Sequence, residues 1–258
     1  MLLAIDVGNT NIVIGVFRGE SLVHSWRLTT IRERTSDELG ILITDLCNRN
    51  EIRQTDISGI VIASVVPPLT GTLVSMVMEY FGRAPLLFDP AVNAGIPVLI
   101  DNPAEVGADR IVNSIAAFAT YGKGLPIIVI DFGTATTFDA VSAKGEYLGG
   151  VICPGPQVAA DALVQRTAKL PRIDVRKPPR VIGTNTIGAM QSGLFWGYVD
   201  MVEGLVRRMK VELGGAAVVI ATGGLASIVA PESPVIEHVD SELTLRGLRL
   251  IWDRSARD

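Results

Sequence analysis

Ile5-Asp6-Val7-Gly8-Asn9-Thr10 stands near the start of the chain and returns, altered but aligned, as Ile130-Asp131-Phe132-Gly133-Thr134-Ala135. Each copy follows an apolar run, Leu2–Ala4 in the first and Leu125–Val129 in the second, and each precedes a second β-prone run. The echo continues into the next turn, where Arg18-Gly19-Glu20-Ser21-Leu22 matches Lys144-Gly145-Glu146-Tyr147-Leu148 after a one-residue slip. Strand, tight Gly turn, second strand and Gly-containing hairpin therefore occur twice. A single Asp-x-Gly is an ordinary strand-end turn in most proteins. Two copies that open two similar halves are not, and they predict a duplicated α/β protein with domains at residues 1–120 and 121–258. If a pseudo-two-fold relates the halves, the paired turns face one another across a central cleft that grips a ligand from both sides.

Between the repeats the chain alternates strand and helix. Thr35-Ser36-Asp37-Glu38 is a capping box that opens a helix through about Asn50. Ile57–Val65 reads as a strand, and Pro67-Pro68 starts a helix through Phe81. Asn102-Pro103-Ala104-Glu105 supplies an N-cap, a Pro at the first helical position and an acid at the third, so a helix is expected from there to about Tyr121. In the second half the expectations are a long helix at Thr186–Leu213, a strand at Ala216–Ala221 and a last helix at Glu242–Trp252. The basic, Pro-containing stretch Arg166–Arg180 reads as a solvated loop; a contribution to the positive field of the cleft is the lesser alternative.

Composition narrows the function. The 258 residues are 48% hydrophobic, 19% charged and 5% aromatic, the profile of a folded, aliphatic-rich α/β protein. A net charge of −4 and a pI near 5.3 argue against nucleic acid as the main partner, because that binding neutralises phosphate with Lys and Arg. Cys47 and Cys153 sit in no metal-ligand spacing, and a reducing cytoplasm suits two isolated cysteines. Met1–Val7 has no basic n-region and reaches Asp6 before a signal core forms, and no apolar run approaches a membrane span. The expectation is a soluble, unexported protein without membrane partners.

The candidate chemistry lies in four stretches. No Walker A loop or dinucleotide fingerprint is present, since Gly122-Lys123 lacks both the upstream Gly and the following Ser or Thr. Phosphate must be held otherwise. In Asp6-Val7-Gly8-Asn9-Thr10-Asn11, Gly8 lets the backbone approach an oxyanion while Asn9, Thr10 and Asn11 add donors. A carboxylate at Asp6 beside a polyphosphate calls for a cation between them, and hydrated Mg²⁺ fits because it keeps several waters. Asp131, Gly133 and Thr134 repeat this logic, whereas Thr136 and Thr137 read as β-branched strand residues. Thr222-Gly223-Gly224-Leu225-Ala226 places a Gly pair between strand and helix, where a flat ring could lie on bare backbone; a plain helix-start turn is the alternative. In Gly107-Ala108-Asp109-Arg110 a glycine inside a helix costs about 1 kcal/mol against Ala, so close approach of a substrate or of another helix should use the space. Asp109 near a helix N-terminus should stay ionised, ready to orient a hydroxyl and accept its proton, and Arg110 offers a bidentate fork to a carboxylate or phosphate. A surface Asp-Arg pair is the plain alternative.

Two Asp-Gly turns and a strand–Gly-Gly–helix element resemble the acetate and sugar kinase, Hsp70 and actin superfamily. Within it, Ile5–Asn11, Asp101-Asn102-Pro103, Glu105–Arg110, Asp131–Thr136, Gly149-Gly150, Pro154-Gly155, Asn185-Thr186, Gln191-Ser192-Gly193 and Thr222–Gly224 resemble type III pantothenate kinases in order along nearly the whole chain. That resemblance implies two ribonuclease H-like (actin-like ATPase) domains and phosphorylation of pantothenate by ATP, the first step of coenzyme A synthesis. It implies ATP at Asp6, Val7, Gly8, Asn9, Thr10, Asn11, Ile12, Val13 and Thr134, and pantothenate at Gly107, Ala108, Asp109, Arg110 and Thr186. It further implies Asp109 as proton acceptor, Mg²⁺ with ATP, potassium or ammonium at Asp131, and a cytoplasmic homodimer. Ile100 departs from the Tyr that members often carry before Asp-Asn-Pro to enclose the substrate. Two other functions remain open on sequence: a nucleotide-dependent regulatory module, and a related kinase with another hydroxyl acceptor.

Overall fold

The computed structural model describes residues 1–255. Among these residues ten strands form two five-stranded sheets. The first contains β1 (Leu2–Val7), β2 (Asn11–Arg18), β3 (Ser21–Thr29), β4 (Gly59–Ser64) and the two-residue β5 (Leu86–Leu87), in the order β3-β2-β1-β4-β5. The second contains β6 (Ile127–Phe132), β7 (Ala135–Val141), β8 (Tyr147–Pro154), β9 (Val218–Gly223) and the short β10 (His238–Val239), in the equivalent order β8-β7-β6-β9-β10. In each sheet the opening strand pairs antiparallel with the next and parallel with the fourth. Even the irregularity is copied: register slips at Val16/Phe17 and at Ala140/Val141, just before hairpins that carry Gly19 and Gly145 at φ of 59° and 84°. The duplicated α/β architecture expected from the repeat, and the ribonuclease H-like domains that the resemblance implies, are observed.

The helices are α1 (Ser36–Arg49), α2 (Pro67–Phe81), α3 (Pro90–Asn93), α4 (Ala108–Tyr121), α5 (Pro156–Arg166), α6 (Thr186–Glu212), α7 (Ala226–Val229) and α8 (Leu243–Ser255). Thr35 closes the capping box expected of it, its hydroxyl accepting from Glu38 N at 3.2 Å while the Glu38 carboxylate accepts from Thr35 N at 2.8 Å. The chain divides into two compact units, one of Met1–Gly95, Asp101–Ala116 and the C-terminal stretch from Leu243, the other of Ile96–Ile100 and Ala117–Glu242.

In the first unit the two-residue period of the strands sorts the core. Leu3, Ile5, Val7, Ile12, Ile14, Val16, Ile60 and Ile62 turn to one face and bury against Leu39, Ile43 and Cys47 of α1 and Leu69, Leu73, Met76 and Val77 of α2. On the opposite face lies α8: Leu245 fills the space a side chain on Gly15 would take, and Trp252 the space over Gly59. The final helix therefore returns to the first sheet, although it follows the second in sequence. Its apolar positions Leu245, Leu248 and Ile251 find their cover on the strands β1, β2 and β4.

In the second unit Ile128, Ile130, Phe132, Phe138, Val219 and Ala221 pack under α6, whose Phe195, Val199, Val202, Val206 and Met209 recur every three or four residues along one stripe. Helix α5 was not expected; Gly155 precedes it and Pro156 opens it. Arg166 ends α5, and the rest of the stretch read as a loop, to Arg180, is without helix or strand, but it is more than a solvated loop. Ile173 joins Ala160, Met190 and Leu194 in a small core of its own, and Lys177 pairs with Glu232 at 2.6 Å beside the Trp196 ring. Strand β9 also ends two residues later than expected, at Gly223, because it stays paired with β6 as far as Phe132.

Candidate functional site

In the first unit β1 delivers Asp6, half-buried, and Val7, buried, to the turn Gly8-Asn9-Thr10, where Asn9 and Thr10 are exposed. Gly8 N donates to Asn11 O at 2.9 Å to close the turn. Thr30, the residue after β3, fixes it from outside: its N donates to Thr10 O at 2.9 Å and its hydroxyl to Gly8 O at 2.7 Å. Asn11, Ile12 and Val13 then run into β2, with Ile12 in the core and Val13 paired to Asp6. Gly8 is held only lightly by the fold. Its φ is not positive, and a methyl there would meet only Asn11 O at 3.2 Å. Bare backbone at such a place leaves room for a ligand rather than for a neighbour.

The stretch Gly107–Arg110 differs from expectation in a way that changes its meaning. Asn102 does cap, accepting from Ala104 N at 3.3 Å, but only a 3₁₀ turn, Pro103–Glu105. Val106 is extended at φ −76° and ψ 133°, which stops that turn, and α4 begins afresh at Ala108. Gly107 thus lies before the helix and carries no helix penalty. Its carbonyl accepts from Arg110 N at 3.2 Å, and a side chain on it would begin 2.5 Å from Asp109 Oδ1. The glycine is bare because the Asp109 carboxyl folds back over it. Ala108 is buried, Asp109 and Arg110 are half-buried, and Asp109 Oδ1 accepts from Arg110 N at 2.9 Å. Burial pushes the Asp109 carboxyl above its ordinary value, partly opposed by that hydrogen bond and by the Arg110 charge. Asp109 therefore holds a proton more readily than a solvated carboxylate. Further along α4, Asn113 accepts from the Thr244 hydroxyl at 2.7 Å and Val112 packs on Gly247, so α8 anchors this helix.

In the second unit Asp131 is half-buried at the end of β6, with Gly133 and Thr134 exposed beyond it. Gly133 N donates to Ala135 O at 3.1 Å, one residue tighter than the first turn. Two glycines buttress it. Gly155 has no space for a side chain against the Gly133 and Thr134 carbonyls, and its N donates to Thr134 O at 2.9 Å. Gly223, at φ 89°, has none against Asp131 and the Phe132 backbone, and Gly224 N donates to Phe132 O at 3.1 Å. A methyl on Gly133 would meet Ala135 O at 3.4 Å, an ordinary contact and looser than the 3.2 Å at Gly8. Thr136 is fully buried and the Thr137 hydroxyl donates to Asp139 at 3.2 Å, so both serve the strand. Thr186 is not gathered with this turn. It is the exposed first residue of α6, behind the Asn185 cap that accepts from Gly188 N at 2.8 Å, and it lines a cavity of about 520 Å³ with Leu163, Leu170, Ala189, Met190, Gly193 and Leu194. Ile100 lies near Gly149, whose added side chain would meet it at 3.5 Å.

No group of three or more His, Cys, Asp or Glu among the described residues could hold a metal by itself. Turns offering a single carboxylate each fit cations that complete their shell with water and phosphate, not a closed zinc or calcium cage. Both cysteines are free; burial pushes the Cys47 thiol up to about 11. No helix among the described residues is long and apolar enough to cross a membrane.

A family model described as type III pantothenate kinase matches residues 2–208. The type III pantothenate kinase of Myxococcus xanthus is 54% identical over 255 residues, 99% of each chain. That of Moorella thermoacetica is 51% identical over 255 residues, 99% of this chain and 100% of its own. Among solved structures, the activator of the 2-hydroxyisocaproyl-CoA dehydratase from Clostridium difficile with bound ADPNP superposes with a TM-score of 0.55 at 13% identity, covering 100% of this chain and 97% of that one. At that identity the likeness speaks for the fold alone.

Proposed function

The chain belongs to the type III pantothenate kinase family, and from that membership we infer that it transfers the terminal phosphoryl group of ATP to the primary hydroxyl of pantothenate, opening coenzyme A synthesis. The substrate oxygen bonds to the γ-phosphorus as the bond to the β-phosphate oxygen breaks, ADP departs, and the hydroxyl proton goes to Asp109. The observation that carries this reading is the Gly107–Asp109 pair: a carboxyl of raised proton affinity laid over bare backbone at the start of α4. Arg110 beside it supplies a fork for the substrate carboxylate or a phosphate, and Gly107 and Ala108 keep the approach narrow. Thr186 adds a hydroxyl donor to pantothenate.

Asp6 to Val13 and Thr134 are proposed to bind ATP, with Gly8 and Gly133 bringing backbone N–H groups to the phosphates. Asp6 would hold Mg²⁺ through water and Asp131 a monovalent cation, potassium or ammonium. Bound there, Mg²⁺ neutralises charge on the phosphate oxygens. The working form is proposed to be a homodimer in the cytoplasm, with residues 1–120 and 121–258 as the two actin-like domains. Measuring ADP release with and without pantothenate, in Mg²⁺ and K⁺, tests the assignment; a rate indifferent to pantothenate would sink it.

A further inference from the structure

Arg34 lies in the connection between β3 and α1, outside every residue so far given a role. It is half-buried, and its Nη1 is sealed from solvent with no hydrogen-bond partner among the described residues. The acids nearest in sequence are committed elsewhere. Asp37 accepts from the Tyr80 hydroxyl at 2.9 Å, and Glu38 is held in the capping box by Thr35. Glu33 is exposed. A guanidinium N–H withdrawn from water without an acceptor is unfavourable to the fold and calls for an explanation, a ligand or ion that supplies the acceptor being one.

The connection of this segment to the first turn suggests a partner. Thr30 is bound to the first glycine turn at both ends, through Gly8 O and Thr10 O. Arg34 N donates to Ile31 O at 3.3 Å, a tight turn that keeps the two Cα atoms within about 7 Å. Arg34 therefore follows the anchored Thr30 by four residues of compact chain, within side-chain reach of the neighbourhood of Gly8-Asn9-Thr10. We propose that Arg34 is a phosphate-binding residue of this turn, its fork gripping oxygens of the nucleotide's phosphate chain. The proposal rests on the first turn being the nucleotide phosphate site.

The test compares wild type with Arg34→Ala and Arg34→Lys, reading the ATP dissociation constant by titration, KM for both substrates, and Tm. Arg34→Ala should weaken ATP binding tenfold or more while Tm and the KM for pantothenate hold, and added guanidinium ion should restore part of the affinity. Arg34→Lys should recover little, since an ammonium lacks the planar fork. An unchanged ATP dissociation constant, or a fall in Tm with no recovery by guanidinium, overturns the proposal. If Arg34→Ala does not fold, Arg34→Lys decides: wild-type ATP affinity in that variant overturns it too. Wild-type ATP binding is measured without pantothenate, so failure of the substrate assignment would not be mistaken for failure of this one.

Discussion

The carboxylate of Asp109 occupies the space a side chain on Gly107 would need, with Oδ1 2.5 Å from where the Cβ would stand. Gly107→Ala must therefore displace the carboxyl or the start of α4. A displaced reacting group loses much of its rate even when the fold is sound. The expected outcome is a kcat lower by about 10²-fold with Tm nearly unchanged, from steady-state kinetics and thermal unfolding on one preparation. A normal kcat would mean that the carboxyl has no fixed place in the reaction.

Asp109→Asn removes the proton acceptor without changing shape. General-base groups contribute about 10² to 10⁴ in rate, so kcat should fall by at least the lower figure while ATP binding persists. The pH profile gives a second reading. Because burial raises the Asp109 carboxyl above its ordinary value, the acid limb of kcat/KM should lie above the ordinary carboxylate range and vanish in Asp109→Asn. For stability the sign is opposite to that of a salt-bridged acid. The native state binds this proton more tightly than the unfolded chain, so the contribution is favourable at low pH and is lost as pH rises from the unfolded value through the folded one. Asp109→Asn should flatten that slope.

Gly8 and Gly223 are both turn glycines, yet their substitutions should fail differently. At Gly8 φ is not positive and a methyl meets one atom, Asn11 O at 3.2 Å, so Gly8→Ala should lower Tm far less than Gly223→Ala while raising the KM for ATP. At Gly223 the φ of 89° and the contact with Asp131 and Phe132 make any side chain strained, at a cost of about 1–3 kcal/mol. Chemical denaturation should show the larger loss in Gly223→Ala. Equal stability losses in the two variants would show that Gly8 is structural as well.

Local signals in the sequence carry the repeated halves, because Asp-x-Gly after an apolar run and a glycine in the hairpin are both short-range features. Thr35 and Asn185 likewise announce their helices through their own side chains. Other features are tertiary and leave no such mark. Asn102 satisfies every rule for an N-cap, but the extended Val106 ends its turn after Glu105, which no propensity at Val106 foretells. Helix α5 has its signal in Pro156, a proline at the first helical position. Thr30 opens a polar loop of ordinary composition; its relation to Gly8 exists only once β3 has paired with β2.

Helix α8 illustrates the same limit and provides a test of it. Its stripe of Leu245, Leu248 and Ile251 says that it is amphipathic, not which sheet it covers. The glycines decide: Gly15 receives Leu245 and Gly59 receives Trp252, both on the first sheet. Gly59→Ala puts a methyl into the Trp252 ring at the start of β4, where the strand backbone is fixed by pairing with β1. The indole must shift and α8 with it. Overpacking of this kind typically costs about 1–3 kcal/mol. Denaturation should therefore report a clear loss in Gly59→Ala, relieved when Trp252→Leu is added, since the smaller side chain vacates the contested space. A double variant no more stable than Gly59→Ala alone would show that Trp252 is not what Gly59 accommodates.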